Sequence, residues 1–92
     1  MIKIKIKFFA YFREVFGARE IELVVEKGIT LPDLLNLLAK TPQQKTELFA
    51  GSQLKPQVVM MVNGSVVAAE SLSSRRLEED AVVAIFPLMG GG

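Results

Sequence analysis

The chain contains no cysteine, no histidine and no tryptophan, and the first two absences remove most of the side-chain chemistry available near neutral pH. Without thiolate or imidazole there is no zinc site of the usual kind. Nor is there a Cys/His or Ser/His/Asp nucleophilic arrangement, or an imidazole to move protons. Such a chain is poorly equipped to catalyse a reaction alone, and neither a metal nor a bound cofactor is expected of it. The lack of thiols rules out disulfide staples and fits a cytoplasmic location. Long apolar runs are missing too. No segment approaches the ~20 residues a membrane helix requires, and the start alternates lysine with isoleucine where a signal peptide would place an apolar stretch behind a basic one. Charge of one sign is not in excess: the formal net charge is +1, so the overall field offers no strong attraction to nucleic acid. Neither nucleic acid nor membrane is an expected partner.

What is present suits one folded domain. Ninety-two residues, half of them apolar and 23% charged, have the balance of a globular protein and the length for a single core without a second module. Ile2, Ile4, Ile6 and Phe8 alternate with Lys3, Lys5 and Lys7, the period of two of a strand with one buried and one wet face. The three lysines read as a solvated face; a phosphate-binding ladder would call for more net charge and interleaved aromatics. A turn at Phe16-Gly17-Ala18 leads to Glu20-Ile21-Glu22-Leu23-Val24-Val25, which predicts an antiparallel hairpin.

Thr30 stands where a helix N-cap belongs, with Pro32 and Asp33 in the first turn. Leu31, Leu34, Leu35 and Leu38 then follow at i, i+3, i+4 and i+7, so one leucine stripe faces the core and covers the sheet. The helix is predicted to end near Lys40, because Pro42 turns Thr41 away from helical angles. Thr41 to Pro56 reads as a long connection, with a short helix possible over Gln43 to Ala50. Val58 to Val62 is a compact apolar strand, Asn63-Gly64 favours a tight reversal, and Val66 and Val67 pair back. Ser71 to Asp80 is a polar loop pinned by Leu72 and Leu77, and Ala81 to Phe86 is the closing strand. The order strand, strand, helix, strand, short strand, strand predicts an α+β fold of the β-grasp (ubiquitin-like) kind. Its mixed sheet has the last strand central beside the first and one main helix packed on one face. The folded domain is placed at 1–86 and a flexible Gly-Gly tail at 87–92.

The most informative segment is that tail, Pro87-Leu88-Met89-Gly90-Gly91-Gly92. Glycine has no Cβ, so a glycine stalk fits a slot too narrow for other residues. Six residues fully extended reach roughly 20 Å, enough to place a terminal carboxylate inside another protein. Taken alone, three glycines are equally a frayed end.

Three stretches carry a family resemblance. Phe8-Phe9-Ala10-Tyr11-Phe12-Arg13-Glu14-Val15-Phe16-Gly17, then Met61-Val62-Asn63-Gly64, then Ala84-Ile85-Phe86-Pro87-Leu88-Met89-Gly90-Gly91-Gly92 resemble, in that order, the molybdopterin synthase small subunit (MoaD-type) family among the ThiS-like, ubiquitin-like sulfur carriers. Glu78-Glu79-Asp80 stands where many members carry an Asp-Gly-Asp turn, and Leu88 where many carry a second proline. The resemblance covers nearly the whole chain, Thr41 to Pro56 excepted.

What the resemblance implies is a sulfur-donor subunit of a sulfurtransferase complex, not catalytic alone. A ubiquitin-activating-type adenylyltransferase, using ATP, would adenylate Gly92, and sulfur would then be carried there as a thiocarboxylate. The tail would enter the large, catalytic subunit of molybdopterin synthase and pass its sulfur to a pterin precursor. Since the chain has no thiol, any sulfur it carries must sit on the terminal carbonyl. Gly92 is thus the reactive group, Gly90 and Gly91 the stalk, and Phe86, Pro87, Leu88 and Met89 the apolar collar that docks at a partner. Phe86 alternatively suits core packing if strand alternation turns it inward. Carriers for thiamine or tRNA thiolation and ubiquitin-like protein modifiers share the same pattern and remain open, as does a binding module whose tail is inert.

Overall fold

The computed structural model describes residues 1–88, so Met89, Gly90, Gly91 and Gly92 lie outside the described residues. The elements in chain order are β1 (Ile2–Phe8), α1 (Tyr11–Phe16), β2 (Glu20–Val25), α2 (Leu31–Leu38), α3 (Pro42–Leu48), β3 (Phe49–Ala50), β4 (Gln53–Leu54), β5 (Val58–Val62), β6 (Ser65–Val66), a 3₁₀ turn (Ala69–Ser71) and β7 (Val82–Pro87). The main sheet runs β2-β1-β7-β5-β6. β1 pairs antiparallel with β2 from Ile2↔Val25 to Lys7↔Glu20 and parallel with β7 from Lys5↔Val82 to Phe8↔Ile85. β7 pairs antiparallel with β5 from Val58↔Pro87 to Val62↔Val83. The closing strand is therefore central beside the first, as the element order predicts, and the fold is a β-grasp.

Alternation decides what each face carries. Ile2, Ile4, Ile6 and Phe8 of β1, Val83 and Ile85 of β7, and Val58, Met60 and Val62 of β5 are all buried, because they share the pleat face on which α2 lies. Leu31, Leu34 and Leu35 of α2 are fully excluded from solvent and Leu38 nearly so, so the leucine stripe is core. Thr30 caps α2, its Oγ1 accepting from the Asp33 N–H at 3.3 Å. Leu77 is buried and pins the long loop before β7, with its N–H bonded to Ile29 O at 3.0 Å.

Four boundaries differ from expectation. The β1–β2 connection is not a bare turn: α1 intervenes and closes on Gly17 at φ 69°. α2 stops at Leu38 with Ala39 as C-cap, because Thr41, one residue before Pro42, is extended at φ −114° and ψ 157°. Thr41 in turn caps α3, with Gln44 completing a capping box. The short helix read over Gln43 to Ala50 is thus present at Pro42–Leu48, and the rest of the stretch read as a long connection holds the unforeseen two-stranded β3–β4 hairpin, paired Phe49↔Leu54 and Ala50↔Gln53. β7 starts at Val82 and runs through Pro87, which lies opposite Val58, so the folded part extends past residue 86. Proline is accommodated there because it stands at the strand's end.

The Asn63-Gly64 reversal takes φ 51° and 86°, the left-handed pair of a type I′ hairpin turn. Asn63 is more than a turn residue. Its Oδ1 accepts from Val82 N–H at 2.9 Å and its own N–H donates to Val82 O at 2.8 Å, so the reversal clamps the start of β7. Just upstream, Asp80 reaches φ 64°, a left-handed conformation that aspartate tolerates. The Glu78-Glu79-Asp80 turn therefore makes its reversal without a glycine.

Candidate functional site: the root of the C-terminal tail

Where the closing strand delivers the chain to its tail, two aromatic rings meet on the sheet face opposite α2. Phe86 is displaced by one residue from buried Ile85, so its side chain lies on the open face and is only half-buried. It stacks on Phe9, with ring centroids 4.4 Å apart and planes inclined by 10°. The alternation thus places Phe86 outside the core.

Phe9 is the residue that sequence reasoning missed. It follows the last residue of β1 and continues the β1–β7 ladder, its N–H donating to Ile85 O at 3.1 Å. Ala10 then turns the chain at φ 53° and ψ −129°, a region that costs a non-glycine residue of order 1–3 kcal/mol. α1 begins at once, with Phe12 N–H bonded to Phe9 O at 3.1 Å and Arg13 N–H to Ala10 O at 3.0 Å. Arg13 Nε donates to Phe8 O at 3.1 Å, which holds its guanidinium carbon 5.6 Å from the centre of the Phe9 ring. The order Arg13, Phe9, Phe86 is a cation over one ring of a stacked pair. One signal for it is visible in the sequence: Phe9 is an aromatic at a position where the β1 alternation calls for another wet residue.

The stack belongs to a wider apolar strip. Val59 lies opposite Phe86, and Met61 opposite Ala84 and Val66; all sit on the open face, with Val59 and Met61 half-buried and Val66 exposed. Leu88 continues the strand, its N–H bonded to Gln57 O at 2.6 Å, while its side chain is 60% exposed. Of the predicted collar, Phe86 and Leu88 are therefore brought to one end of this strip, whereas Pro87, opposite buried Val58, falls on the other face. Met89, Gly90, Gly91 and Gly92, the remaining predicted site residues, lie outside the described residues.

The other half of the open face is ionic. Lys5 pairs with Glu20 at 3.5 Å and stands opposite Glu22, while Lys7 stands opposite Glu20. Lys5 and Lys7 thus have carboxylate neighbours, as on a solvated face, while Lys3 stands opposite Val24. Among the described residues no group of three or more His, Cys, Asp or Glu side chains is placed to hold a metal ion, and no helix is long and apolar enough to cross a membrane. On the far side of α1, Tyr11 OH donates to Glu47 Oε1 at 3.0 Å and Gln44 Nε2 to Val15 O at 3.3 Å, so α3 braces the helix that carries Arg13. The Glu47 carboxylate, first by that hydrogen bond and then by its charge, raises the Tyr11 pKa above the usual tyrosine value.

This strip and tail root present an apolar platform at one end of the sheet. The chain is 30% identical over 92 residues to small archaeal modifier protein 3 of Haloferax volcanii, covering 99% of this chain and 100% of that one. Its structure is similar to that of the small archaeal modifier SAMP1 of Haloferax volcanii, with a TM-score of 0.81, 25% identity and coverage of 98% and 99%. It is likewise similar to a putative molybdopterin converting factor, subunit 1, of Pyrococcus furiosus, with a TM-score of 0.75, 28% identity and coverage of 97% and 100%. The ThiS family is matched over residues 6–92, a span that holds the Phe9–Phe86 platform and the glycines beyond it, and the chain belongs to that family of ubiquitin-like sulfur carriers and modifiers.

Proposed function

We propose that the chain is the sulfur-carrying small subunit of molybdopterin synthase, working through the carboxylate of Gly92. A carboxylate is a poor electrophile, so a partner adenylyltransferase first joins it to ATP, releasing pyrophosphate and leaving an acyl-adenylate. Hydrosulfide, released from a sulfurtransferase persulfide by a thiol reductant that is itself oxidised to the disulfide, then attacks the carbonyl carbon and displaces AMP, which leaves a thiocarboxylate. The stalk Gly90-Gly91 enters the large subunit, where the sulfur passes to a pterin precursor.

The observation that carries the reading is the stacked Phe9–Phe86 pair at the base of the tail, an apolar platform beside a segment that has no side chains. A half-buried apolar pair continued by exposed Leu88 supports a docking role, and a chain without cysteine or histidine leaves the carbonyl end as the place for sulfur. The similarity to a converting-factor subunit supports the pterin branch. Incubation of the purified chain with its adenylyltransferase, ATP and a sulfur donor should raise its intact mass by the difference between oxygen and sulfur. A mass that never changes, or a change that survives replacement of Gly92 by alanine and deletion of Gly91-Gly92 alike, overturns the reading.

A second reading is favoured by the full-length identity to a small archaeal modifier protein: the same activated Gly92 acylates a lysine amine and forms an isopeptide. The two share activation and part at the acceptor. Higher-mass forms on a denaturing gel, lost on removal of Gly92, support the modifier; pterin-dependent loss of the thiocarboxylate supports the carrier.

A further inference from the structure

β2 is an edge strand, and its outer side is an unprotected template. Phe8 N–H bonds to Arg19 O at 2.8 Å, so by antiparallel alternation Arg19, Ile21, Leu23 and Val25 turn their backbone groups toward β1. Glu20, Glu22 and Val24 turn theirs outward. Among the described residues these three make no backbone hydrogen bond on that side. The edge carries two glutamates but no proline, bulge or lysine in its six residues. The opposite edge of the sheet, by contrast, is the two-residue β6.

Beside this edge lies a groove of about 330 Å³ between β2 and α2. It is lined by Ile21 and Leu23 of β2, Leu37 and Leu38 of α2, and by Phe16 and Lys40. Leu37 is 57% exposed, so part of this lining is unpaired apolar surface on a helix whose other leucines are core. On the opposite face of β2 the outermost row is acidic: Glu20, already bonded to Lys5, and Glu22, which among the described residues has no ion-pair partner.

The geometry points to addition of an extended protein segment along β2, a segment that alternates apolar residues with lysine or arginine. Main-chain bonds to Glu20, Glu22 and Val24 would supply the pairing, as in other strand additions. The apolar residues of the segment lie over Ile21, Leu23 and Leu37. Its alternate residues project on the other face beside Glu20 and Glu22, where cross-strand neighbours of opposite charge are favoured and like charges disfavoured. This surface lies on the strand beyond β1, two strands from Phe86 on β7, and does not use the tail.

The test is amide-resolved NMR titration of the full chain with two synthetic peptides, one repeating Lys-Val and one repeating Glu-Val. The expected result is shifts confined to Glu20–Val24 and α2, with the lysine peptide bound at least tenfold more tightly. Glu22→Pro removes an outward N–H together with the Glu22 carboxylate and leaves the groups bonded to β1 in place, so it should abolish binding of both peptides while the β1–β2 cross-strand contacts persist. If that variant fails to fold, Leu37→Glu, on an exposed position, should weaken binding at least tenfold, and Glu22→Lys should reverse the peptide preference. Binding should be unchanged when Gly91-Gly92 are deleted, which separates this surface from the tail. Absence of β2 shifts, equal binding of both peptides, or shifts centred on β6 or Phe86 would overturn the inference. So would self-association through β2 in place of peptide binding, since the occupant would then be a second copy.

Discussion

Stacking of Phe9 on Phe86 should be measurable as a coupling energy, and its size distinguishes a docking platform from a piece of core. A fully buried phenylalanine gains about 1.5–3 kcal/mol over an exposed one. Phe86 is half-buried, so Phe86→Ala should destabilise the chain by about 1–2 kcal/mol, well short of the ~3–5 kcal/mol of a core Phe→Ala change. The stack itself contributes about 0.5–1.5 kcal/mol beyond buried area, and this should appear as the non-additive part of a Phe9→Ala, Phe86→Ala double-mutant cycle. Phe9→Ala also removes the ring under Arg13, so it should cost about 0.5–1 kcal/mol more than Phe86→Ala. Urea unfolding followed by far-ultraviolet circular dichroism is the assay, since the chain has no tryptophan and one tyrosine. For a domain of this size each kcal/mol also moves the thermal midpoint by about 4–8 °C. Additive losses, with coupling below about 0.3 kcal/mol, are what independent sites show and would refute the stacked platform. A loss above 3 kcal/mol for Phe86→Ala alone would instead place that ring inside.

Three further outcomes follow from other features. The single tyrosine should titrate above the ordinary phenol range by ultraviolet absorbance and return toward it in Glu47→Gln; since the folded pKa is the raised one, the stability this link gives is present below the unfolded pKa and lost as pH rises through the folded one. Asn63→Ala should cost about 1–3 kcal/mol in urea unfolding by leaving the Val82 N–H without its acceptor and by straining φ 51°, whereas Asn63→Gly should recover the strain component. Ala10→Gly should be neutral or stabilising by up to about 1 kcal/mol, because glycine adopts φ 53° without penalty and so offsets its greater unfolded entropy; a clear destabilisation would show that Ala10 is not strained.

The sheet was legible because its strands obey a period of two and because the element order leaves few ways to cover an apolar face. β1, β2, β5 and β7 and the leucine stripe of α2 all follow from patterns at least five residues long. One helix was missed and one only loosely bounded, and both are short. α1 spans only Tyr11–Phe16, less than two turns, and its apolar residues look like a continuation of the aromatic end of β1. α3 carried a readable signature, Thr41-Pro42-Gln43-Gln44 with the cap and its reciprocal partner three residues apart, but without the apolar periodicity that usually draws attention to a helix. Phe86 and the glycines could be picked out along the chain. Their platform could not, because Phe9 meets Phe86 only through parallel pairing of the first and last strands, and Arg13 reaches Phe9 only through a turn that an alanine makes against its own preference.

The parallel pairing of β1 with β7 also fixes how the domain bears tension. Its first strand begins at Ile2 and its last ends at Pro87, at opposite ends of one ladder, so pulling residues 2 and 87 apart drives the two strands past each other. Every bond of the ladder is then strained together, where a hairpin pulled from its open end would unzip one bond at a time. β7 is held on its other side by β5, so the strand nearest the tail is also the one hardest to extract. Traction applied at the glycines by a translocating motor or a tight-fitting active site would meet this resistance first, and the fold should survive pulls that would peel away an edge strand.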